Sequence, residues 1–325
     1  MQLTGGILIQ GGLNLISGGS SPSPEPYAPV QGSNFGYATG GITYDDSGGG
    51  ILSNVIEKFP FSSDANATDV GDLVVGRYLA AGQSSTTNGY SSGGRLTPTT
   101  FSNDIDKFSF SSDGNATDIG DLTVNRQTRT GQSSSASGYT SGGRNSQITP
   151  AYINVIDKFP FASDGNAVDV GDLTRENTNS GAQSSTVSGY TSGGQWPVVN
   201  NIDKFPFASD SNATDVGDLA VAATDQAGQS SSTSGYNAAG YDTSNTSTIE
   251  KFPFSSDANA TDVGDLTIAR YGPAGQSSTV SGYASGGFAP GNIDTIDKFP
   301  FASDGNATDV GDLINAQQQQ AGQQY

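Results

Sequence analysis

Apolar and polar positions alternate in a pattern that recurs along the whole chain. The stretch Ile156–Phe161 (Ile-Asp-Lys-Phe-Pro-Phe) returns six times with small changes, at intervals of 49, 51, 46, 47 and 47 residues. The copies begin at Ile56, Ile105, Ile156, Ile202, Ile249 and Ile296. Within one copy, Ile156 and Lys158 share one face of an extended strand. Asp157 and Phe159 share the other face. The repeat therefore predicts a single supersecondary unit used six times.

Each unit predicts four short strands separated by glycine-rich or turn-forming segments. In the third unit we assign strand A to Gln132–Ala136, strand B to Gly138–Gly142, strand C to Asn154–Phe159 and strand D to Val168–Leu173. Pro160 cannot donate a backbone hydrogen bond, so it is expected at the end of strand C. The cluster Ser163–Asn166 predicts a turn between strands C and D. Six such units favour an all-β, six-bladed β-propeller over residues 30–325.

The two ends of the repeat region predict a closed ring. The segment Leu313–Gln323 aligns without gaps with Leu266–Gln276, so it leads toward another strand A. At the other end, Val30–Gly36 already supplies the segment before the first Gly-Tyr pair. We expect both ends to meet in one blade, which leaves few exposed strand edges. The sequence leaves open which end supplies the inner strand.

The first 29 residues differ from the repeats. Residues 1–20 are uncharged, β-prone and rich in glycine, and residues 21–29 form a Pro/Ser linker that is expected to be extended. An apolar arm on a stiff linker predicts a docking segment that adds a strand to a partner. The anchor residues would be Leu3, Ile7, Leu8, Ile9, Leu13, Leu15 and Ile16. The alternative is a frayed terminus, or one packed on its own domain.

Composition narrows the chemistry. The chain has no Cys and no His, so it lacks the side chains for disulfides, thiolate or imidazole metal sites, and Ser-His-Asp catalysis. The net charge of −19 comes mainly from the repeats, each with several acids and one lysine, and it argues against nucleic-acid or anionic-membrane partners. We expect no secretory signal, because no basic residue precedes Lys58. We also expect no membrane insertion, because no apolar run approaches the length of a membrane span.

Length variation is confined to one segment of each unit. Each of the first five repeat lysines lies 31 residues before the next Gly-Tyr, whereas the glycine pair and the lysine are separated by 16, 12, 14, 9, 10 and 10 residues. In an antiparallel blade, the B–C loops and the D-to-A connections emerge on one face, here called the variable face. The A–B and C–D turns emerge on the opposite face, here called the constant face.

Arginine and aromatic residues concentrate in the variable segments, a composition typical of recognition surfaces. The candidate binding residues are Tyr44, Arg77, Tyr78, Arg95, Phe101, Arg126, Arg129, Arg144, Tyr152, Arg175, Trp196, Tyr241, Arg270, Tyr271 and Phe288. The alternative is drift in unconstrained loops, with aromatics covering the tops of the blades.

One recurring turn has the composition of a weak calcium site. Asp113, Asn115 and Asp118 place oxygen ligands near one another, but the glycine and distant glutamate of an EF-hand are missing. The other reading is an Asx turn that bonds the local backbone. Apart from calcium, no cofactor is expected.

Other possible chemistry in the units is better explained by structure. The Asn-Ala-Thr triplets match a glycosylation acceptor but are interpreted as turn residues. Each repeat lysine is expected to pair with the aspartate of strand D in its own blade. The loop acids are scattered rather than paired, so no catalytic residue is assigned.

The amino-acid sequence of the units resembles two kinds of known repeat. Gly138-Tyr139, Gly142-Gly143 and Phe159-Pro160 resemble kelch repeats, although no Trp closes strand D. Together with the Gly-Gln-Ser-Ser and Asn-Ala-Thr-Asp-Val-Gly-Asp-Leu segments, the repeat also resembles virion structural proteins of marine tailed bacteriophages.

That second resemblance implies a non-enzymatic tail-fibre or capsid-decoration role, with a location on the virion. Residues 1–20 would contact other virion proteins, and the variable face would contact a host glycan, a host protein or a neighbouring subunit. The alternatives are a bacterial extracellular carbohydrate-binding adhesin or lectin, and a glycan-active propeller enzyme.

Overall fold

A computed structural model describes residues 31–44 and 49–325. These residues form six four-stranded antiparallel sheets around a central axis, which confirms the all-β, six-bladed propeller. The docking arm and linker assigned to residues 1–29 lie outside the described residues. Within the described ranges, no helix is long and apolar enough to cross a membrane.

Each blade contains strands A to D, counted outwards from the axis. Blade 1 contains, from A to D, Ala321–Gln324, Phe35–Thr39, Val55–Pro60 and Thr68–Asp72. Blade 2 contains Ala81–Ser84, Asn88–Ser92, Asp104–Ser109 and Thr117–Asp121. Blade 3 contains Gly131–Ser133, Ser137–Arg144, Tyr152–Pro160 and Val168–Asp172. Blade 4 contains Gly181–Ser184, Ser188–Ser192, Asn201–Pro206 and Thr214–Asp218. Blade 5 contains Ala227–Ser230, Ser234–Ala238, Thr246–Pro253 and Thr261–Arg270. Blade 6 contains Ala274–Ser277, Ser281–Ser285, Thr295–Pro300 and Thr308–Asp312. Two small hairpins on the variable face pair Ile42–Tyr44 with Gly50–Leu52, and Arg95–Thr97 with Thr100–Phe101.

Blade 1 closes the ring with strands from both ends of the repeat region. Ala321–Gln324 is the inner strand and pairs antiparallel with Phe35–Thr39, with Thr39 opposite Ala321. The predicted meeting of the two ends is therefore confirmed, and the C-terminal segment supplies the inner strand. Closure leaves the inner strand of every blade paired.

The hydrophobic core consists of layers between neighbouring blades, with the aromatic residues of the repeat at their centre. Tyr90 of blade 2 packs on Phe159 and Phe161 of blade 3, with ring centroids 5.5 and 4.8 Å apart. The same tyrosine and phenylalanine positions meet at all six interfaces. Such ring pairs contribute about 0.5–1.5 kcal/mol each beyond their area burial. The aromatic residues of the repeat therefore hold neighbouring blades together.

Polar residues of the repeat also connect each blade to the next. The Gln132 Nε2 donates to Tyr190 O of the following blade at 2.9 Å, and the Asp121 backbone N donates to Asn166 Oδ1 at 3.1 Å. Equivalent bonds are present at all six interfaces. The turn asparagine of every unit, including the five in Asn-Ala-Thr triplets, therefore connects neighbouring blades.

The repeat lysines pair differently from the sequence prediction. Lys158 Nζ lies 2.9 Å from Asp210 Oδ1, in the C–D turn of the next blade, and this hydrogen bond raises the pKa of Lys158. All six lysines bind the C–D-turn aspartate of the following blade. The predicted partner, an aspartate of strand D in the same blade, is wrong. Each lysine side chain extends toward the next blade. The C–D-turn carboxylate of that blade is therefore the acid within reach of the lysine.

The inner strands approach one another closely around a narrow central channel. A Cβ at Gly82 would lie 2.2 Å from the Gly322 carbonyl oxygen of the neighbouring inner strand, so a side chain there would require the strands to shift. Toward the constant face, serine hydroxyls accept backbone hydrogen bonds from adjacent strands, as where the Ser133 N donates to Ser184 Oγ at 3.0 Å. In blades 2, 3, 5 and 6 the sequence Gly-Gln-Ser therefore places glycine at the narrow waist and serine toward the lower mouth, whereas blade 4 has Ala182 at the waist and blade 1 has Gln324 at the mouth.

Candidate recognition surface

A regular backbone frame supports the variable face. In each blade, the residue that follows the glycine pair forms an antiparallel bridge with the D-to-A connection that enters the blade. The six bridges are Ile42 with Gln318, Tyr78 with Arg95, Gln127 with Arg144, Thr178 with Gln195, Thr224 with Tyr241, and Tyr271 with Phe288. Because the frame is uniform while its side chains differ, equivalent positions present different chemistry around the axis.

Several predicted binding residues are buried, and three of them are arginines inside the blades. The side chains of Arg77, Arg126 and Arg270 are fully buried. Arg126 Nη2 donates to Asp157 Oδ2 at 3.0 Å and to Thr140 O at 3.0 Å, and the side chains of both Arg126 and Asp157 are 0% exposed. The prediction that all the loop arginines are surface residues is wrong for these three. They neutralise the acid that follows isoleucine in strand C.

The other three blades have no arginine beside the same strand-C acid. Blade 4 has Asn177 at this position, and Asp203 accepts from the backbone N (2.9 Å) and the Oγ1 of Thr174. Blade 1 has Gln317 near the buried Glu57, and neither Glu57 oxygen has a hydrogen bond of regular geometry. Burial raises the pKa of Glu57 to about 7, and the facing amides of the chain lower it by a smaller amount. Glu57 is therefore a buried carboxyl that titrates near neutral pH.

Arg129 closes the upper mouth of the channel. Its side chain is only 4% exposed and reaches across the axis, where Nη2 donates to Pro273 O and Nη1 lies 3.8 Å from Asp225 Oδ1. Burial lowers the pKa of Arg129, and the Asp225 carboxylate opposes that shift. Arg129 therefore lines the channel and is not an outward contact.

The first outward cluster lies on blade 2. The Arg95 guanidinium lies 5.7 Å from the ring centroids of both Tyr78 and Phe101, which are themselves buried. Arg95 also donates to the carbonyl oxygens of Thr97 and Pro98 in the adjacent turn. Two rings and two carbonyls therefore hold the cation at the surface.

The second cluster joins blades 3 and 4. Arg144 and Tyr152 are cross-strand partners at the top of a hairpin, and the Arg144 guanidinium lies 5.6 Å from the Tyr152 ring centroid. The Trp196 ring of blade 4 lies 5.4 Å from Tyr152, tilted by 38°. Trp196 is 60% exposed, the largest exposed aromatic among the described residues.

A third cluster on blades 5 and 6 contains aromatic rings without a cation. Tyr271 contacts Tyr241 at 5.9 Å and Phe288 at 5.3 Å, and burial raises the pKa of Tyr271. Tyr241 is 42% exposed and Tyr44, on the blade 1 hairpin, is 51% exposed. Both tyrosines are therefore surface residues.

Charge is unevenly distributed over the variable face. Among residues 31–44 and 49–325, all lysines and four arginines lie within 4.0 Å of a carboxylate, whereas Arg95, Arg144 and Arg175 do not. These three arginines belong to blades 2 to 4, and Arg175 is exposed beside Glu176. Blades 5 and 6 carry the loop acids Asp242 and Asp294 without such an arginine, whereas the loop acids of blades 2 to 4 are Asp104, which pairs with Arg77, and Glu176. One side of the face therefore holds arginines that no carboxylate neutralises.

The constant face uses the oxygens of the weak calcium candidates for other contacts. Asp113 binds Lys58 at 2.5 Å, Asn115 Oδ1 accepts from the Asp72 backbone N at 3.1 Å, and Asp118 Oδ1 accepts from the Gly120 N at 3.1 Å. Over the ranges described, no group of three or more acids could hold a metal ion. This arrangement matches the Asx-type reading, in which the turn bonds backbone amides.

The chain enters the propeller at the centre of the constant face. Gln31 Nε2 donates to Ser230 O at 2.9 Å, and the Gly32 N donates to Ser277 O at 2.8 Å. Ser230 and Ser277 are the last residues of inner strands, at the lower mouth of the channel. The predicted anchor residues Leu3, Ile7, Leu8, Ile9, Leu13, Leu15 and Ile16 lie outside the described residues.

The fold and this surface define the class of the protein: a six-bladed β-propeller with one uniform face and one face of individual side chains. Comparison with known families finds no family model that matches the chain, and comparison with curated proteins finds no significant match.

Proposed function

We propose that this chain is a non-enzymatic structural protein of a virion, held to a capsid or tail by its N-terminal segment. Its variable face is directed outwards, toward a host surface or a neighbouring subunit. The resemblance of the repeat sequence to virion proteins of marine tailed bacteriophages supports a location on the virion. It assigns no residue, so the orientation is argued from the propeller itself.

The observation that carries the orientation is the entry point of the chain. Gln31 and Gly32 bind inner-strand carbonyls at the lower mouth of the channel, on the constant face. An attachment made by residues before Gln31 therefore begins at the axis, on the face opposite Trp196 and Arg144. Such a mount leaves every blade's variable loops free to contact a partner.

The chemistry of the two faces supports the same division of roles. The lysines and turn asparagines of the constant face are engaged between blades, whereas exposed aromatics and unpaired arginines lie on the variable face. Exposed aromatic residues with arginine are typical of contact surfaces. An extracellular adhesin would use this surface in the same way, so only the attachment distinguishes it from a virion protein.

The experiment compares the full chain with a chain lacking residues 1–28, in purified particles analysed by mass spectrometry. The truncation keeps Gln31 and Gly32, so the propeller should fold with an unchanged melting temperature. We expect the truncated chain to be absent from particles, while Trp196→Ala, altered on the opposite face, is incorporated normally. Incorporation of the truncated chain at the level of the full chain would show that the anchor is elsewhere. Absence of the full chain itself from particles would favour the adhesin.

A further inference from the structure

We infer that the variable face binds an anionic saccharide along an arc over blades 2 to 4. We call this surface the arginine arc and define it by Tyr78, Arg95, Phe101, Arg144, Tyr152 and Trp196. The inference rests on the proposed function, in which this face is the outward contact surface. It adds the chemical class of the ligand and the residues that bind it.

The first argument is that the arc combines the exposed ring of Trp196 with arginines that no carboxylate pairs. Trp196 presents a largely exposed ring that contacts Tyr152, and Tyr152 in turn contacts the Arg144 guanidinium. The negative face of an aromatic ring attracts the weakly positive C–H groups of a sugar ring. A guanidinium presents a planar fork of donors that matches carboxylate and, equally, sulfate oxygens. A saccharide with acidic groups uses both features together.

The second argument is that the two clusters form one surface. Gln147, in the blade 3 hairpin, donates through Nε2 to the Thr99 carbonyl oxygen in the blade 2 turn. That turn also holds Arg95 through its donation to Thr97 O at 3.1 Å. Arg95 and the Arg144–Tyr152 pair therefore stand on adjacent, connected loops. An extended chain of sugars can contact both, whereas a single ring can contact only one.

The third argument concerns charge. The protein has a net charge of −19, so an anionic ligand needs a region where the local field is reversed. The constant-face carboxylates lie at the opposite end of the six-residue strand C, roughly 20 Å away at about 3.3 Å per residue. That distance exceeds the screening length of about 8 Å at physiological salt. Two loop acids also lie on blades 2 to 4, of which Asp104 pairs with the buried Arg77 and Glu176 lies beside Arg175. Arg95 and Arg144 are therefore the cations of the arc without a paired carboxylate, while Asp242 and Asp294 disfavour an anion over blades 5 and 6.

The test uses the full chain and defined polysaccharides. Binding is measured by biolayer interferometry to alginate (carboxylated), dextran sulfate (sulfated), neutral dextran and poly-glutamate, at low and physiological salt. We expect binding to at least one anionic polysaccharide, weakened by salt, with no binding to dextran and weaker binding to poly-glutamate. The comparison of alginate with dextran sulfate identifies the acidic group.

Variants locate the site. Trp196→Ala and Arg144→Gln should each weaken binding at least tenfold, and Arg144→Lys should retain part of it. The matched control is Tyr241→Ala, which removes an exposed aromatic on blade 5 and should change affinity less than twofold. Melting temperatures of all variants are compared with the parent chain, and any variant that melts early is replaced by Trp196→Phe or Arg95→Gln.

Several results would overturn the inference. These are no binding to either anionic polysaccharide, equal binding to neutral dextran, equal binding to poly-glutamate, or full affinity in both Trp196→Ala and Arg144→Gln. If binding fails while the full chain still requires residues 1–28 to join particles, only the ligand assignment is wrong. If binding holds while the chain is absent from particles, the virion assignment is wrong.

Discussion

Replacing Gly171 by alanine tests the close packing of the blades. Glycine is present at this place in strand D of every blade, and here it has a φ of +149°. A Cβ added to Gly171 would lie 2.7 Å from the backbone carbon and oxygen of Ser211, in the C–D turn of the next blade. Backbone does not move aside as a flexible side chain does, so the turn must shift or the strand must change conformation.

The size of the effect follows from the contacts around the turn. An unfavourable φ costs about 1–3 kcal/mol at a non-glycine residue. A shift of the turn also weakens the bond from the Asp172 N to Asn212 Oδ1 (3.1 Å), and a hydrogen bond contributes about 1 kcal/mol. We therefore expect Gly171→Ala to lower the free energy of unfolding by about 2–4 kcal/mol. In a propeller of this size that corresponds to a fall in melting temperature of roughly 3–6 °C.

The chain offers a matched control in the C–D turn of blade 6. Gly305 lies in that turn outside the left-handed backbone region, nothing stands within 4 Å of the Cβ it would carry, and other blades have Ala65, Ser211 or Ala258 at this position. Gly305→Ala should change stability by no more than about 0.5 kcal/mol. Both variants are measured by urea denaturation and thermal melting. Equal stability of the two variants would refute the close approach of strand D to the next blade.

Two further predictions concern buried charge. Arg126→Met leaves the Asp157 carboxylate unpaired in the core and should lower the free energy of unfolding by about 3–5 kcal/mol. Arg144→Met breaks no ion pair and should lower it by less than about 1 kcal/mol in the same denaturation assay. A similar loss in both variants would contradict the buried pair. The folded pKa of Glu57, about 7, exceeds its ordinary value of 4.5, so the folded state holds the proton more tightly and stability should fall by about 3 kcal/mol as pH rises from 4.5 to 7. Glu57→Gln should remove that component while Asp242→Asn retains it, and an unchanged pH profile in Glu57→Gln would place the titration elsewhere.

The repeat pattern predicted the strands well because each strand is determined by residues that are adjacent in the chain. Pro160 ends strand C as expected, and the alternation of strand C places Ile156 toward the next blade and Phe159 toward the previous one. Ring closure was also visible, since the last repeat lacks a partner for its inner-strand segment. These features depend on neighbouring residues along the chain.

Contacts between blades were harder to predict because they join residues 40 to 60 positions apart. The pairing of Lys158 with Asp210 depends on the spacing of the sheets, which no single repeat reveals. The burial of Arg77, Arg126 and Arg270 did have a signal. Each lies four residues after the leucine of the repeated Gly-Asp-Leu segment, so its position is fixed to the scaffold, whereas Arg95 and Arg144 follow the glycine pair.

The orientation of the propeller on its particle is the central claim, and a cryo-electron microscopy map of the native assembly tests it most directly. The account predicts six-bladed density whose constant face, with the lower channel mouth at Gln31, is turned toward the capsid or tail. Trp196 and Arg144 should lie on the outward surface or against a neighbouring subunit. A propeller mounted by its variable face, or particles that contain no such density, would contradict the account.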